Sequence, residues 1–161
     1  MASELAAAGH GDFRIILGVS NLKTRVVLAD DHKLFRETLS NMLQRQPDIE
    51  VVGQAGDGIE AVELVRSLLP DVVVTDMRMP RLTGSAAIAQ FRAAHAGVKV
   101  IVLSVNSAHV LASGMLAAGA HGYVTKADAE ELPRAIRAVM SGLEYLSPEV
   151  RATAASASPA R

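Results

Sequence analysis

The run Val72-Val73-Val74-Thr75-Asp76 carries apolar side chains on both faces of an extended strand and stops abruptly on one carboxylate. Three other runs share this construction. Val26-Val27-Leu28-Ala29 is closed by Asp30-Asp31, Val100-Ile101-Val102-Leu103 by Ser104, and Tyr123-Val124-Thr125 by Lys126. Strands without polar alternation need cover on both faces, as parallel strands between two layers of helices have. Helix-period segments separate these runs at even spacing, so the chain reads as successive βαβ units. Right-handed crossovers then predict an α/β, doubly wound, five-stranded parallel sheet with five helices. The carboxyl ends of parallel strands lie side by side, where open α/β sheets place their ligands. Carboxylates, a hydroxyl and an ammonium are thereby brought to one spot.

The helices can be read locally. Phe35, Leu39, Met42 and Leu43 recur on one helical face until Pro47. Asp57-Gly58-Ile59-Glu60 places an N-cap acceptor three residues before a glutamate, as in a capping box. Val62, Val65 and Leu69 line the helix that follows, and Pro70 ends it. A third helix is expected around Ile88 and Phe91, and a fourth through Val110, Leu111 and Met115, closed by Gly119. The fifth carries Leu132, Ile136, Val139 and Met140 and ends near Gly142; Pro133 fits only if this helix begins beside it. Residues 1–22 read as a flexible N-terminal extension, 23–143 as the folded domain, and 144–161 as a linker-like tail without apolar periodicity.

At 161 residues the chain suits one domain with a sizeable core. A net charge of −1 gives no electrostatic reason to expect nucleic acid or an acidic membrane as partner. The absence of cysteine excludes disulfides, thiolate metal sites and thiol catalysis. No apolar run reaches the roughly 18–20 residues of a bilayer span, and Glu4 and Asp12 spoil a secretory leader. The expected location is the cytoplasm.

Crowded carboxylates repel one another, and a hard divalent cation relieves the repulsion. Mg²⁺ takes one or two carboxylates, carbonyls and waters. With an ammonium and a hydroxyl alongside, such a site can receive a phosphoryl group, with the central carboxylate as nucleophile.

The segments Ala29-Asp30-Asp31-His32, Thr75-Asp76-Met77-Arg78-Met79-Pro80, Leu103-Ser104 and Tyr123-Val124-Thr125-Lys126 resemble the receiver domain of bacterial two-component response regulators. The resemblance covers about residues 24–142. It implies the flavodoxin-like strand order 2-1-3-4-5 and a phosphoacceptor in a two-component phosphorelay. By that resemblance Asp76 takes the phosphoryl group from a sensor histidine kinase. Asp31, Asp76 and the Arg78 backbone carbonyl bind Mg²⁺ directly, and Asp30 acts through a water. Lys126 contacts the acyl phosphate, Ser104 is the switch hydroxyl, and Tyr123 the aromatic that follows it inward. The domain is then no enzyme in its own right, assisting only its own phosphotransfer and autodephosphorylation. Asp30-Asp31-His32-Lys33-Leu34-Phe35-Arg36 and the ending from Gly142 to Val150 narrow the resemblance to NarL/FixJ (LuxR-type) regulators. These usually continue into a helix-turn-helix DNA-binding domain, so the alternative reading is the receiver fragment of a transcriptional regulator. With no helix-turn-helix pattern after Lys126, this chain alone is not expected to bind DNA. Its output is expected to be a phosphorylation-dependent homodimer or a downstream protein, through the fourth helix, fifth strand and fifth helix.

Other readings fit less well. Aspartyl-phosphate hydrolases resemble Asp-x-Asp on the first strand, whereas here that position holds Asp30-Asp31. A flavodoxin needs a phosphate loop after the first strand, which two aspartates would oppose. A dinucleotide binder needs Gly-x-Gly-x-x-Gly, which the chain lacks. His32 reads as a helix cap or ion-pair partner beside the aspartates. His10, His95, His109 and His121 share no spacing and read as surface residues.

Overall fold

Side chains branched at Cβ favour extended backbone, and the valine- and isoleucine-rich runs form the centre of a sheet. The computed structural model describes residues 22–157, so residues 1–21 of the expected extension and 158–161 of the expected tail lie outside the described residues. The chain proceeds through β1 (Thr24–Ala29), α1 (Lys33–Gln44), β2 (Ile49–Ala55), α2 (Gly58–Leu68) and β3 (Val72–Asp76). A hairpin of β4 (Arg78–Met79) and β5 (Leu82–Thr83) precedes α3 (Gly84–Ala94), β6 (Lys99–Ser104), α4 (His109–Ala117) and β7 (Gly122–Thr125). A 3₁₀ segment (Lys126–Glu131), α5 (Leu132–Met140), β8 (Tyr145–Leu146) and α6 (Pro148–Ala157) complete it.

The main sheet is parallel in the order β2-β1-β3-β6-β7-β8. Its first five members are the expected 2-1-3-4-5 arrangement. Alternate strand residues feed two cores. Val27, Val73, Val100, Val102 and Tyr123 face α2, α3 and α4, while Val26, Leu28, Val74, Ile101 and Leu103 face α1 and α5. All five residues of β3 are buried, as a central strand covered on both sides must be.

Local signals account for the helix ends. Asp57 Oδ1 accepts the Glu60 N–H at 2.9 Å, and the Glu60 carboxylate accepts from Gly56 N–H at 3.1 Å, one residue before the usual capping-box donor. Pro133 sits in the first turn of α5, where its missing N–H costs nothing. Gly119, with φ of 114°, turns the chain out of α4 in a conformation that side chains with a Cβ resist.

Three features depart from expectation. The sheet has a sixth strand: β8 pairs with β7 through Gly122–Tyr145 and Tyr123–Leu146. Residues 145–157, expected to be linker-like, form β8 and α6, packed on the domain. Val150 is the single fully buried apolar side chain among residues 148–156, too little to produce a periodic pattern. Polar contacts do the rest. Ser147 Oγ accepts Thr125 N–H at 3.1 Å, Thr125 Oγ1 donates to Glu149 at 2.8 Å, and Glu149 N–H donates to Asp128 at 2.8 Å. Thr153 Oγ1 donates to the Ser107 carbonyl at 2.6 Å, tying α6 to the loop before α4. Third, the β4–β5 hairpin docks against the start of α2, where a Cβ on Gly58 would come within 2.3 Å of Leu82 Cβ. Glycine at that position admits the approach.

His121, read as a surface residue, is instead half-buried just before β7. Its Nδ1 accepts the Val100 N–H at 3.0 Å, so the ring must be neutral there. Burial, then Lys99 and Arg92, lower its pKa from the ordinary 6.5, against a smaller opposing effect of Glu144. The unfolded chain therefore binds this proton first as pH falls. Stability is complete above the ordinary value and declines below it until the lowered folded value is reached. Urea midpoints should fall between about pH 7.5 and about pH 5.5 in the wild type, and less steeply in His121→Asn. Identical slopes would show that His121 does not contribute.

Candidate functional site

The carboxyl ends of β1, β3, β6 and β7 deliver the site. Strand register aligns Ala29 with Thr75, Asp76 with Leu103, and Ser104 with Thr125, so Asp30, Asp76, Ser104 and Lys126 emerge at one level. A cavity of about 490 Å³, lined by His32, Asp76, Arg78, Ser104, Asn106 and Lys126 among others, opens from it to the surface.

Lys126 is the centre of the cluster. Its Nζ lies 2.9 Å from Asp30 Oδ2 and 3.0 Å from Asp76 Oδ2, with the ammonium 4.9 Å from the centre of the Phe35 ring. The carboxylates it bridges are almost fully enclosed, with side-chain exposures of 2% for Asp30 and 9% for Asp76. Burial alone would lower the Lys126 pKa, but hydrogen bonds and charge attraction from Asp30 and Asp76 outweigh it and hold the ammonium above its usual range. Asp76 Oδ1 accepts the Arg78 N–H at 3.1 Å, which fixes the carboxylate plane. Asp30 Oδ1 accepts His32 N–H at 2.8 Å. Asp31 is more open, and its Oδ1 faces the His32 imidazole at 3.4 Å.

Ser104 is buried, and its Oγ accepts Asn106 N–H at 3.0 Å. Tyr123 is fully buried, and its hydroxyl donates to the Asn106 carbonyl at 2.7 Å. Burial raises its pKa above the ordinary 10.0. The aromatic expected to follow a switch inward already lies inward in this conformation.

One ligand atom from each of Asp30, Asp31, His32 and Asp76 falls within 4.8 Å of the others. Asp30 Oδ2 is buried and has no hydrogen-bond partner of good geometry, its charge facing Lys126 alone among the contacts described above. An inward-facing oxygen of this kind, among hard carboxylate donors, fits a divalent cation. Arg78, whose carbonyl was expected to bind the metal, lines the same cavity.

Comparison with known proteins agrees with this geometry. Residues 26–137 match the family model described as the response regulator receiver domain. The chain belongs to that family. The receiver is 38% identical over 133 residues to the transcriptional regulatory protein DegU of Brevibacillus brevis, a match covering 82% of this chain and 56% of the relative. It is 39% identical over 127 residues to the response regulator GacA of Pseudomonas viridiflava, covering 78% and 59%. It thus spans a little more than half the length of these curated relatives. Among solved structures, a two-component response regulator of the LuxR family from Aurantimonas superposes with a TM-score of 0.78 at 33% identity, covering 83% of this chain and 96% of that one. The signal receiver domain of NarL from Mycobacterium tuberculosis gives 0.71 at 34% identity, covering 75% and 98%. The relatives are NarL/FixJ-type regulators, as the sequence resemblance implied. No helix of the described residues is long and apolar enough to cross a membrane.

The receiver also carries site features that sequence reading passed over. Phe35 was assigned to the core face of its helix, yet its ring covers Lys126. Its place four residues after Asp31 puts it one helical turn above the strand end, and that spacing was the available signal. Asn106 links Ser104 to Tyr123 through its backbone, which side-chain chemistry cannot announce.

Proposed function

We propose that this receiver is a phosphoacceptor that takes a phosphoryl group onto Asp76 from the phosphohistidine of a sensor histidine kinase. The observation that carries the reading is Lys126, held between the Asp30 and Asp76 carboxylates at the base of a solvent-accessible cavity. An Asp76 carboxylate oxygen attacks phosphorus as the phosphorus–nitrogen bond breaks, its electron pair returning to the histidine ring of the kinase. Lys126 exchanges part of its contact with Asp76 for the incoming phosphoryl oxygens, remaining anchored by Asp30. Ser104, buried beside Asp76, donates a hydrogen bond from its hydroxyl to a phosphoryl oxygen.

Asp31 and Asp76, with the Arg78 backbone carbonyl, are the residues to hold Mg²⁺, and Asp30 acts through a water. When bound, Mg²⁺ neutralises charge that would otherwise repel the phosphoryl group. The chain thereby assists its own phosphotransfer and its own dephosphorylation, without turning over a separate substrate.

Redirecting the Ser104 hydroxyl perturbs its bond with Asn106, and with it the loop that carries exposed Val105 and leads to exposed Val110 on α4. The readout is a protein contact around α4, β7 and α5, either a second receiver or a downstream partner. These 161 residues do not bind DNA by themselves, and the chain works in the cytoplasm. Incubation with acetyl phosphate and Mg²⁺ should add one phosphoryl group to the wild type and none to Asp76→Asn. Undiminished labelling of Asp76→Asn overturns the assignment.

A further inference from the structure

His32 faces the acidic pocket but has no part in the function proposed above. It occupies the N-cap position of α1 and makes no side-chain capping bond, so helix capping does not account for it. Its imidazole is 70% exposed, with Nδ1 3.2 Å from Asp30 Oδ1 and 3.4 Å from Asp31 Oδ1. An ion with bonds of about 2.1 Å sets adjacent ligands about 3 Å apart and opposite ligands about 4.2 Å apart. The separation from Asp31 Oδ1 is close to that of adjacent positions, and the 4.8 Å limit on the whole group admits Asp76 with only a small adjustment. In the same pocket Asp30 Oδ2 is buried, with the Lys126 ammonium 2.9 Å away.

We propose that His32 Nδ1 is a ligand position of this pocket, so that it takes a divalent transition-metal ion accepting nitrogen, such as Co²⁺ or Ni²⁺, more tightly than Mg²⁺. This rests on the reading of the pocket as a cation site and adds a specificity-determining residue to it. Mg²⁺ favours oxygen donors and retains waters, so His32 contributes little to it. Imidazole suits Co²⁺, Ni²⁺ and Zn²⁺, and affinity for mixed nitrogen and oxygen sites rises from Mn²⁺ through Co²⁺ to Ni²⁺. Because the ring is largely exposed, it can turn onto such an ion without disturbing the core. With His32 bound, the imidazole stands in the cavity mouth beside Arg78 and Ser104, narrowing the approach to Asp76.

Calorimetric titration of the full chain with CoCl₂ and with MgCl₂ tests this, together with proton NMR of the Co²⁺ form. The wild type should bind Co²⁺ more tightly than Mg²⁺ and show a paramagnetically shifted imidazole C–H resonance. His32→Ala and His32→Asn should lose at least about tenfold in Co²⁺ affinity at this site, as much as the loss of even an outer-shell partner costs. Mg²⁺ affinity should change by less than about threefold, and the shifted resonance should disappear. An unchanged ratio of Co²⁺ to Mg²⁺ affinity in both variants, or no shifted imidazole resonance in the wild type, overturns the role of His32 and leaves the Mg²⁺ site standing. If Asp31→Ala binds both ions as the wild type does, the reading of the pocket as a cation site fails as well.

Discussion

Replacing Lys126 with alanine is expected to destabilise the metal-free protein by about 3 kcal/mol, or roughly 10 °C in Tm. The ammonium lies between two nearly enclosed carboxylates and is itself only 15% exposed. Removing it leaves two like charges facing each other with little water to screen them. Loss of one partner of a buried ion pair is costly for this reason, even where the intact pair adds little net stability. The folded pKa of Lys126 is raised, so its contribution holds at neutral pH and is lost only as pH rises through that raised value. Saturating Mg²⁺ should restore part of the loss by supplying positive charge at the same carboxylates. Asp31→Ala offers the contrast. Its side chain is 35% exposed and faces the His32 imidazole, so without metal the change should stay within about 0.5 kcal/mol. Urea unfolding with EDTA and with excess MgCl₂ checks both variants. Wild-type stability of Lys126→Ala in EDTA would show that the carboxylates do not depend on the ammonium.

The second large effect concerns α6. Val150 is fully buried, and burying a valine side chain is worth about 1.5–3 kcal/mol. Val150→Asp forfeits that and places an unpaired carboxylate against the α2–α4 face. The helix should detach while the central sheet, whose two cores are built mainly by β1 to β7 and α1 to α5, stays folded. Backbone amides of residues 149–157 should then exchange with solvent about a hundredfold faster or more, and those of β1, β3 and β6 at wild-type rates. Because Thr153 holds the Ser107 carbonyl, faster exchange should extend into the loop before α4. Unchanged protection of residues 149–157 would mean that Val150 does not hold the helix.

The contrast between the sheet and this helix shows what could be read from the chain. Strands β1, β3 and β6 and their terminal groups were legible because a strand buried on both faces has no room for polar residues until it ends. The Asp or Ser that closes each apolar run then marks both the end of the strand and the place of the chemistry. The Asp57–Glu60 cap and the first-turn position of Pro133 were legible because each satisfies or removes a particular backbone donor. Helix α6 was not, since one large apolar residue and four polar contacts leave no period to detect. The β4–β5 hairpin was hidden for a similar reason: with two residues in each strand, its placement depends on the meeting of Gly58 and Leu82, distant in sequence. Of the site, residue types and convergence were readable. The bridging position of Lys126, the cover provided by Phe35, the ring position of His32 and the inward position of Tyr123 depend on packing between elements, which no local pattern encodes.

The central claim is that Asp76, and no neighbouring carboxylate, carries the phosphoryl group. Borohydride reduces an aspartyl phosphate to homoserine and leaves free carboxylates intact, so peptide sequencing after phosphorylation and reduction reads the acceptor directly. The account predicts homoserine at position 76, dependent on Mg²⁺ and on the phosphodonor. Homoserine at position 30, 31 or 71 with none at 76, or its formation at 76 without any phosphodonor, would contradict it.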